Sequence, residues 1–548
     1  MDTPDPSQLV DDVEAQFTLD AANLLAVTRA FLEDIRTGLS KYGHVPMAMV
    51  PTYLTEIPNG AEKGTSLAID LGGTNLRVCE VEFNGDRTYS SHQQKYKVSD
   101  EYKLGEATAL FDYIAECVHT FLHSPSLESS SVYKKCCSGH IDHTHPFTAP
   151  VQIALAFSFP YEQRAINSGA LIRWSKGFAA KNAVGQDIVK LLQDAFDKKK
   201  MSVECAALVN DCAGALVARA YTSGGCDLAT IFGTGTNGVF VEHVNKVTKL
   251  NDDRDLRMIV NTEWGAFDND RKHLPKTPFD LKLDHESLNP GGQAFGKAIA
   301  GMFLGEVARN AFLSLVDAGA LFGGKLSAQM GTQWGFDTEL MSAVEEAWAG
   351  VGAHAPMAVG GGLGGEIPVR MDDGKEGTDG PAVPPLSSLV PGNESISSDQ
   401  RAALDRVRSV LIAHCGYAEN EVSLRDAMIV RRIVVAIAQR GAQLAGCGVA
   451  AVLVQMGFAS HLRGESSSDV EANGDVKAAE VERRINMGVD GSLIEHFPNY
   501  ERSLRSALKL LVGEDVESRL GIGMGKDGSG VGAALCVLQA QKDAARFS

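Results

Sequence analysis

The chain has 548 residues, too many for one average domain and enough for a large core, so two domains or lobes are expected. Hydrophobic residues make up 44% and charged residues 22%, an ordinary soluble composition that excludes disorder of the whole chain. Lys and Arg number 51 against 69 Asp and Glu, a net charge of −18, which excludes binding nucleic acid or an anionic membrane by bulk attraction and leaves any phosphate to be held by local geometry.

In chain order, Met1-Asp-Thr-Pro-Asp-Pro is acidic and lacks the charged, then apolar, segments of a signal peptide, so a cytoplasmic location is expected. The amphipathic pattern of Ala21 to Leu39 predicts a helix, and after a loop with Pro46, Pro51 and Pro58 the first strand begins at Ser66. Leu67 to Phe83 reads as an apolar strand, a Gly-Gly-Thr turn and an alternating strand, closed by Asn84-Gly85: a β-meander with no helix after the glycines. Lys181 to Lys198 is helical in pattern, and Leu228 to Glu242 repeats the strand-turn-strand unit, which suggests two related halves. Helical patterns follow at Gln293 to Leu315 and Asp426 to Phe458. Strands and helices mixed in this order argue an α/β fold.

Three segments read as surface insertions: 124–150, rich in Ser and His; 352–398, rich in Gly and Pro; and the polar 461–480. Within the first, Cys136, Cys137, His140, His143 and His145 have zinc-ligand chemistry, but their spacing matches no standard site and a polar loop is the preferred reading. The ten cysteines form no disulfide framework, and Cys79, Cys205, Cys447 and Cys536 lie in apolar contexts that predict buried, reduced thiols. Gly441 to Phe458 carries no charge, yet Arg431, Arg432 and Arg440 precede it and Gln443 and Gln455 lie within it, so it reads as a core helix, not a membrane span.

The turn after Asp70 has the makings of a phosphate site. Gly72 and Gly73 let backbone amides approach a ligand, Thr74 adds a hydroxyl and Arg77 a cation suited to phosphate. An ordinary hairpin is the plain alternative, but a carboxylate beside an anion site makes sense if Mg²⁺ bridges them. Gly233 to Gly238, Gly360 to Gly365 and Gly523 to Gly528 all fit G-x-G-x-x-G, and none is a convincing strand-to-helix turn, which disfavours a dinucleotide fold. Gly291 to Ala298 imitates a P-loop but ends in Ala where Mg²⁺ needs Ser or Thr, and reads as the start of a helix. Asn210-Asp211 caps a helix beginning at Cys212 on the plain reading.

Leu67 to Arg77, Phe157 to Pro160, Arg173 to Phe178, Val209 to Asp211, Phe232 to Gly238, Asn261 to Phe267, Gly488 to Ser492 and Lys526 to Ala534 stand in the order of the eukaryotic hexokinases, which the chain resembles from about residue 20 to 540. Phe267 to Pro275 and Gly301 to Asn310 are similar to the corresponding stretches of fungal glucokinases. The resemblance implies an actin-like ATPase (ribonuclease H-like) fold with two lobes around a sugar cleft, 67–211 plus 524–548 forming the small lobe and 1–66 plus 212–523 the large one. It implies MgATP-dependent phosphorylation of glucose, and of related hexoses, at the 6-hydroxyl, by a monomer or homodimer.

By motif position, Asp211 would be the general base. Ser158, Ser175, Lys176, Asn210, Asn237 and Glu263 would join it on the sugar. Asp70 (toward Mg²⁺), Gly72, Gly73, Thr74, Asn75, Arg77, Gly233, Thr234 and Gly235 would hold the nucleotide phosphates, with Thr338, Ser342, Gly491 and Ser492 nearer the adenosine. Three departures stand out: Ser175 and Cys212 where the family usually has Thr, and Phe295-Gly296-Lys297 where it carries a sugar-binding Glu in the middle position. Losing that carboxylate removes a charged hydrogen bond worth about 1.5–3 kcal/mol, so weaker sugar binding is expected. A hexokinase-like sugar sensor without turnover is the competing reading; an actin-like structural ATPase does not explain the clustered sugar motifs.

Overall fold

The computed structural model describes residues 5–43, 45, 47–73, 75–124, 150–174, 177–350, 380–389, 394–460, 462, 483–525 and 528–547. Helices α1 (Pro6–Ala15) and α2 (Ala21–Ser40) lead to β1 (Val50–Pro51) and the meander β2 (Lys63–Leu71), β3 (Asn75–Asn84) and β4 (Tyr89–Lys97). Next come α3 (Ala107–Leu122), β5 (Val151–Phe157), the hairpin β6 (Tyr161–Ala165) and β7 (Ser168–Leu171), α4 (Ile188–Lys198), β8 (Val203–Val209) and α5 (Asp211–Ser223). A second meander, β9 (Leu228–Phe232), β10 (Thr236–His243) and β11 (Arg257–Asn261), precedes α6 (Ala294–Ile299), α7 (Gly301–Asp317), α8 (Thr338–Ala349) and α9 (Leu424–Gln455). The chain ends in β12 (Ile485–Asp490), α10 (Ser492–His496), α11 (Tyr500–Val512), β13 (Leu520–Met524) and α12 (Gly528–Phe547).

Two sheets repeat one topology. In the first, ordered β4-β3-β2-β5-β8, the meander is antiparallel and β5 and β8 run parallel to β2. In the second, ordered β1-β11-β10-β9-β12-β13, the meander β9-β10-β11 is again antiparallel and β12 and β13 run parallel to β9. Apart from the exposed edge strand β4, each sheet is apolar on both faces, which forces helices onto both. α3 and α4 cover the outer face of the first sheet around Phe111, Ile114, Leu192 and Phe196. α2, α9 and α11 cover the outer face of the second. Between the sheets lie α5 and α12, packed on Ala68, Ala154 and Ala156 from one side and Ala229, Val239 and Ile259 from the other.

These two central helices touch through small residues. A Cβ on Gly532 would lie 2.0 Å from the Gly214 carbonyl oxygen, and one on Gly528 2.8 Å from the Ala215 Cα. Only glycine permits that approach.

α9 is long and apolar enough to cross a membrane, but its apolar window is 78% buried in the protein, as a core helix requires. The eight described cysteines are all free and buried. Three expectations shift. α4 starts at Ile188, where Asp187 caps it, and not at Lys181. The helix expected over Gln293 to Leu315 breaks at Ala300 (ψ 144°), because the Gly301 amide bonds the Gly233 carbonyl at 2.8 Å. The segment 380–389, assigned to an insertion, buries Leu386 and Leu389 in the core. Residues 125–149 with their cysteines and histidines, Gly360 to Gly365 and 463–480 lie outside the described residues.

Candidate active site

The carboxyl ends of β2, β5 and β8 in one sheet face those of β9 and β12 in the other, the usual place for a ligand in an open α/β sheet. Asp70 stands near the end of β2, opposite Arg77 in the β2-β3 register, and is 5% exposed. Its Oδ2 accepts from Arg77 Nε (3.0 Å) and Nη2 (2.5 Å) and from Ser529 Oγ of α12 (2.8 Å). The Gly72 amide closes the turn on the Asn75 carbonyl at 3.1 Å. Asp70, Gly72, Gly73, Asn75, Arg77 and Lys95 line a polar cavity of about 290 Å³. Lys95, opposite Arg77 on β4, went unnoticed in the sequence; the cross-strand register is the signal that finds it. Thr74 lies outside the described residues.

Opposite stands the second turn. Gly233 donates to the Gly235 carbonyl at 3.0 Å, while the amides of Gly301 and Met302 bond the carbonyls of Gly233 and Thr234, fastening the start of α7 to this loop. Gly491 has φ 113°, and a Cβ there would meet the Gly233 amide nitrogen at 2.6 Å, so the two glycine turns are in contact. Thr338 Oγ1 donates to the Gly301 carbonyl at 2.5 Å, and Ser342 Oγ donates to the His496 carbonyl at 3.4 Å, at the far end of the helix that Ser492 begins. The four residues expected near the adenosine therefore group beside the Gly233 turn.

Asp211 starts α5, near enough to Glu263 and Asp490 to raise the pKa of both. Asn210 caps α5, its Oδ1 accepting from the Cys212 amide at 2.9 Å, and the same amide donates to Asp211 Oδ1 at 2.8 Å. The plain reading holds for Asn210, which caps the helix, while Asp211 is the first helical residue. The Cys212 thiol points away to the Ala229 carbonyl at 3.5 Å, so it is the backbone of this residue that orients the carboxylate.

Beside it, Asn237 Nδ2 donates to Asn261 Oδ1 (2.9 Å) and Glu263 Oε1 (3.3 Å), and Asn261 Nδ2 donates to Glu263 Oε1 (2.9 Å). Glu263 holds a left-handed φ of 52°, as does Gln293 at 58°, the kind of backbone strain that gathers at binding sites. Burial raises the Glu263 pKa, opposed by the Asn261 bond, and Asp211 raises it further while Arg173 lowers it. Asp490, at the end of β12, is raised by burial and by Asp211 and lowered by Arg77. Arg77, Asp490, Asp211, Glu263 and Arg173 thus share one field. Asp490 and Asn261 lie inside motifs already singled out, but only the fold shows their side chains to belong here.

Ser158 follows β5 and is half-buried. Ser175 and Lys176 lie outside the described residues, but their flanks are anchored: Trp174 packs on Phe157, Phe159 and Phe178 and donates to the Ala180 carbonyl at 2.8 Å. At Gly296 a Cβ would have no neighbour nearer than Gln293 Oε1 at 3.6 Å and the Gly265 Cα at 3.7 Å. The Gln293 amide lies against Gly265, next to Glu263-Trp264, and borders the pocket where the expected carboxylate is missing. Among the described residues no group of three or more His, Cys, Asp or Glu forms a metal cluster.

Two hexokinase family models match the chain, one over residues 9–221 and the other over 227–353 and 392–539. Glucokinase of Aspergillus niger is 34% identical, covering 98% of this chain and 99% of its own. Hexokinase-1 of Schizosaccharomyces pombe is 31% identical over 96% of this chain and 89% of its own. Among solved structures, a hexokinase from Schistosoma mansoni complexed with glucose superposes with a TM-score of 0.72 at 26% identity, covering 98% of this chain and 100% of that one.

Proposed function

The chain belongs to the hexokinase family, whose chemistry is ATP-dependent phosphoryl transfer to a hexose, and we propose that its own reaction is phosphorylation of glucose at the 6-hydroxyl, giving glucose 6-phosphate and ADP. The observation that carries this reading is Asp211, held by the Cys212 amide in one electrostatic field with Glu263 of the Asn237-Asn261-Glu263 network and with Asp490, which also feels Arg77. Similar proteins bear the names of glucokinases, and one similar structure holds glucose.

Phosphoryl transfer asks for positioning and for stabilisation of charge. Asp211 accepts the proton of the attacking hydroxyl and keeps it in line with the γ-phosphoryl group. Asn210, Asn237, Glu263, Ser158, Ser175 and Lys176 hold the remaining hydroxyls. The turns Gly72 to Asn75 and Gly233 to Gly235, through the amides they leave free, and Arg77 hold the phosphates, and Thr338, Ser342, Gly491 and Ser492 border the adenosine. Asp70 suits a Mg²⁺ ion held through water: its Oδ2 is neutralised by Arg77, no bond to its Oδ1 occurs among the described residues, and the ion, when bound, screens the phosphate charge. The lobes, 67–211 with 524–548 and 1–66 with 212–523, close on the sugar and expel water that would otherwise take the phosphoryl group.

Gly296 supports a second reading, a sensor that binds sugar without turnover. Incubation with MgATP and glucose, mannose, fructose or N-acetylglucosamine, followed by ³¹P and ¹³C NMR of the product, separates the two. Glucose 6-phosphate is the expected product; phosphate on another carbon, or bound sugar with no product, overturns the proposal.

A further inference from the structure

Away from the cleft, two arginines lie over a patch of glycines. Arg219, two turns along α5 from Asp211, lays its stem on Gly488 of β12 and its guanidinium on Gly523 of β13. A Cβ on Gly488 would be 3.2 Å from the Arg219 Cβ, and one on Gly523 2.3 Å from Nη2 and 2.4 Å from Cζ. Arg484, just before β12, does the same over Gly521, where a Cβ would be 2.9 Å from both Nε and Nη2. Gly488 and Gly523 are register partners, and Gly521 and Gly523 are two apart on one strand. They therefore share a face and sit about 7 Å apart along it.

Among the described residues no carboxylate compensates the charges on this face. Arg219 is half-buried, and its Nε is shielded from solvent and has no hydrogen-bond partner among the described residues. The charged or titratable groups that perturb it are Cys226, a thiol that burial pushes up to about 12 and so keeps neutral, and Arg484. Burial and the like charge of Arg484 both depress Arg219. The neighbouring Arg483, by contrast, is matched, donating to both carboxylate oxygens of Asp227 at 3.0 and 2.6 Å. In a chain of net charge −18, two guanidinium groups side by side on one face, without a carboxylate partner among the described residues, offer an anion a paired set of donors.

We propose that Arg219 and Arg484 form a second anion site, outside the catalytic cleft, that takes a phosphate dianion, free or as a phosphate monoester. Two forked donors seated over glycines about 7 Å apart suit one tetrahedral anion placed between them. The glycines leave the space that the guanidinium groups occupy, since a side chain at Gly523 or Gly521 would meet them.

The test fills the catalytic cleft first, with Mg²⁺, the β,γ-imido analogue of ATP and glucose, then titrates inorganic phosphate by calorimetry at low ionic strength. Saturable binding of one phosphate is expected, weakened about ten- to hundredfold in both Arg219→Met and Arg484→Ala. Arg484 is exposed, so its variant keeps the test valid if Arg219→Met fails to fold. Glucose 6-phosphate, added in competition, tells a monoester from the free ion. Absence of saturable binding, or binding unchanged in Arg484→Ala, overturns the proposal.

Discussion

Glu263 is held by Asn261 and Asn237 in a left-handed turn, and burial together with Asp211 sets its pKa above the ordinary carboxyl value. A carboxyl raised in the fold contributes stability that is present below its unfolded pKa of about 4.3 and is lost as pH rises through the folded value. Glu263→Gln is therefore expected to raise the melting temperature at pH 8 and to lose that advantage near pH 4, while sugar affinity falls. A melting difference that does not change with pH contradicts this. At Gly296 the nearest atoms leave room for a Cβ, and Gly296→Glu is expected to restore the missing acceptor and lower the KM for glucose by about ten- to a hundredfold. An unchanged KM in steady-state assays would sink the idea.

At the scale of elements, Gly532 and Gly214 set the distance between α5 and α12. Gly532→Val forces the helices apart and is expected to cost about 1–3 kcal/mol and to lower the unfolding midpoint. It also moves Ser529 off Asp70 and so lowers turnover; a variant with wild-type midpoint and rate would show that the crossing tolerates bulk. Elements with strong local signals were legible in the sequence. The meander after Asp70 shows its alternation and its Gly-Gly turn, and α2 and α9 show their periodicity. What sequence could not show depends on distant partners. The break at Ala300 exists because Gly301 bonds Gly233, and Lys95 joins the cavity beside Asp70 only through its register with Arg77. Arg219 reads as an ordinary helical residue until β12 and β13 are placed beneath it. The motif residues of the site were legible through resemblance; the Asn261 bridge and the field around Asp490 needed the fold.

Across the whole molecule, α5 and α12 form the one layer that both sheets share, and each brings a piece of the site to the cleft: α5 brings Asp211, and α12 the Ser529 hydroxyl on Asp70. Two bodies joined this way can rock about their common layer, with sugar bonded from both sides favouring the closed form. Small-angle scattering should show a smaller radius of gyration on adding glucose, and no change with a sugar that is not phosphorylated. Without sugar, ATP hydrolysis should stay far below the glucose-dependent rate, since water alone does not close the lobes.

The most direct test is glucose-dependent ADP release by the wild type and by Asp211→Ala, in a coupled assay with MgATP. Removal of a general base costs about 10²–10⁴ in rate. The expected result is turnover with glucose in the wild type and a loss of that size in the variant, with glucose binding kept. Turnover that survives in Asp211→Ala, or a wild type that binds glucose and releases no ADP, would contradict it.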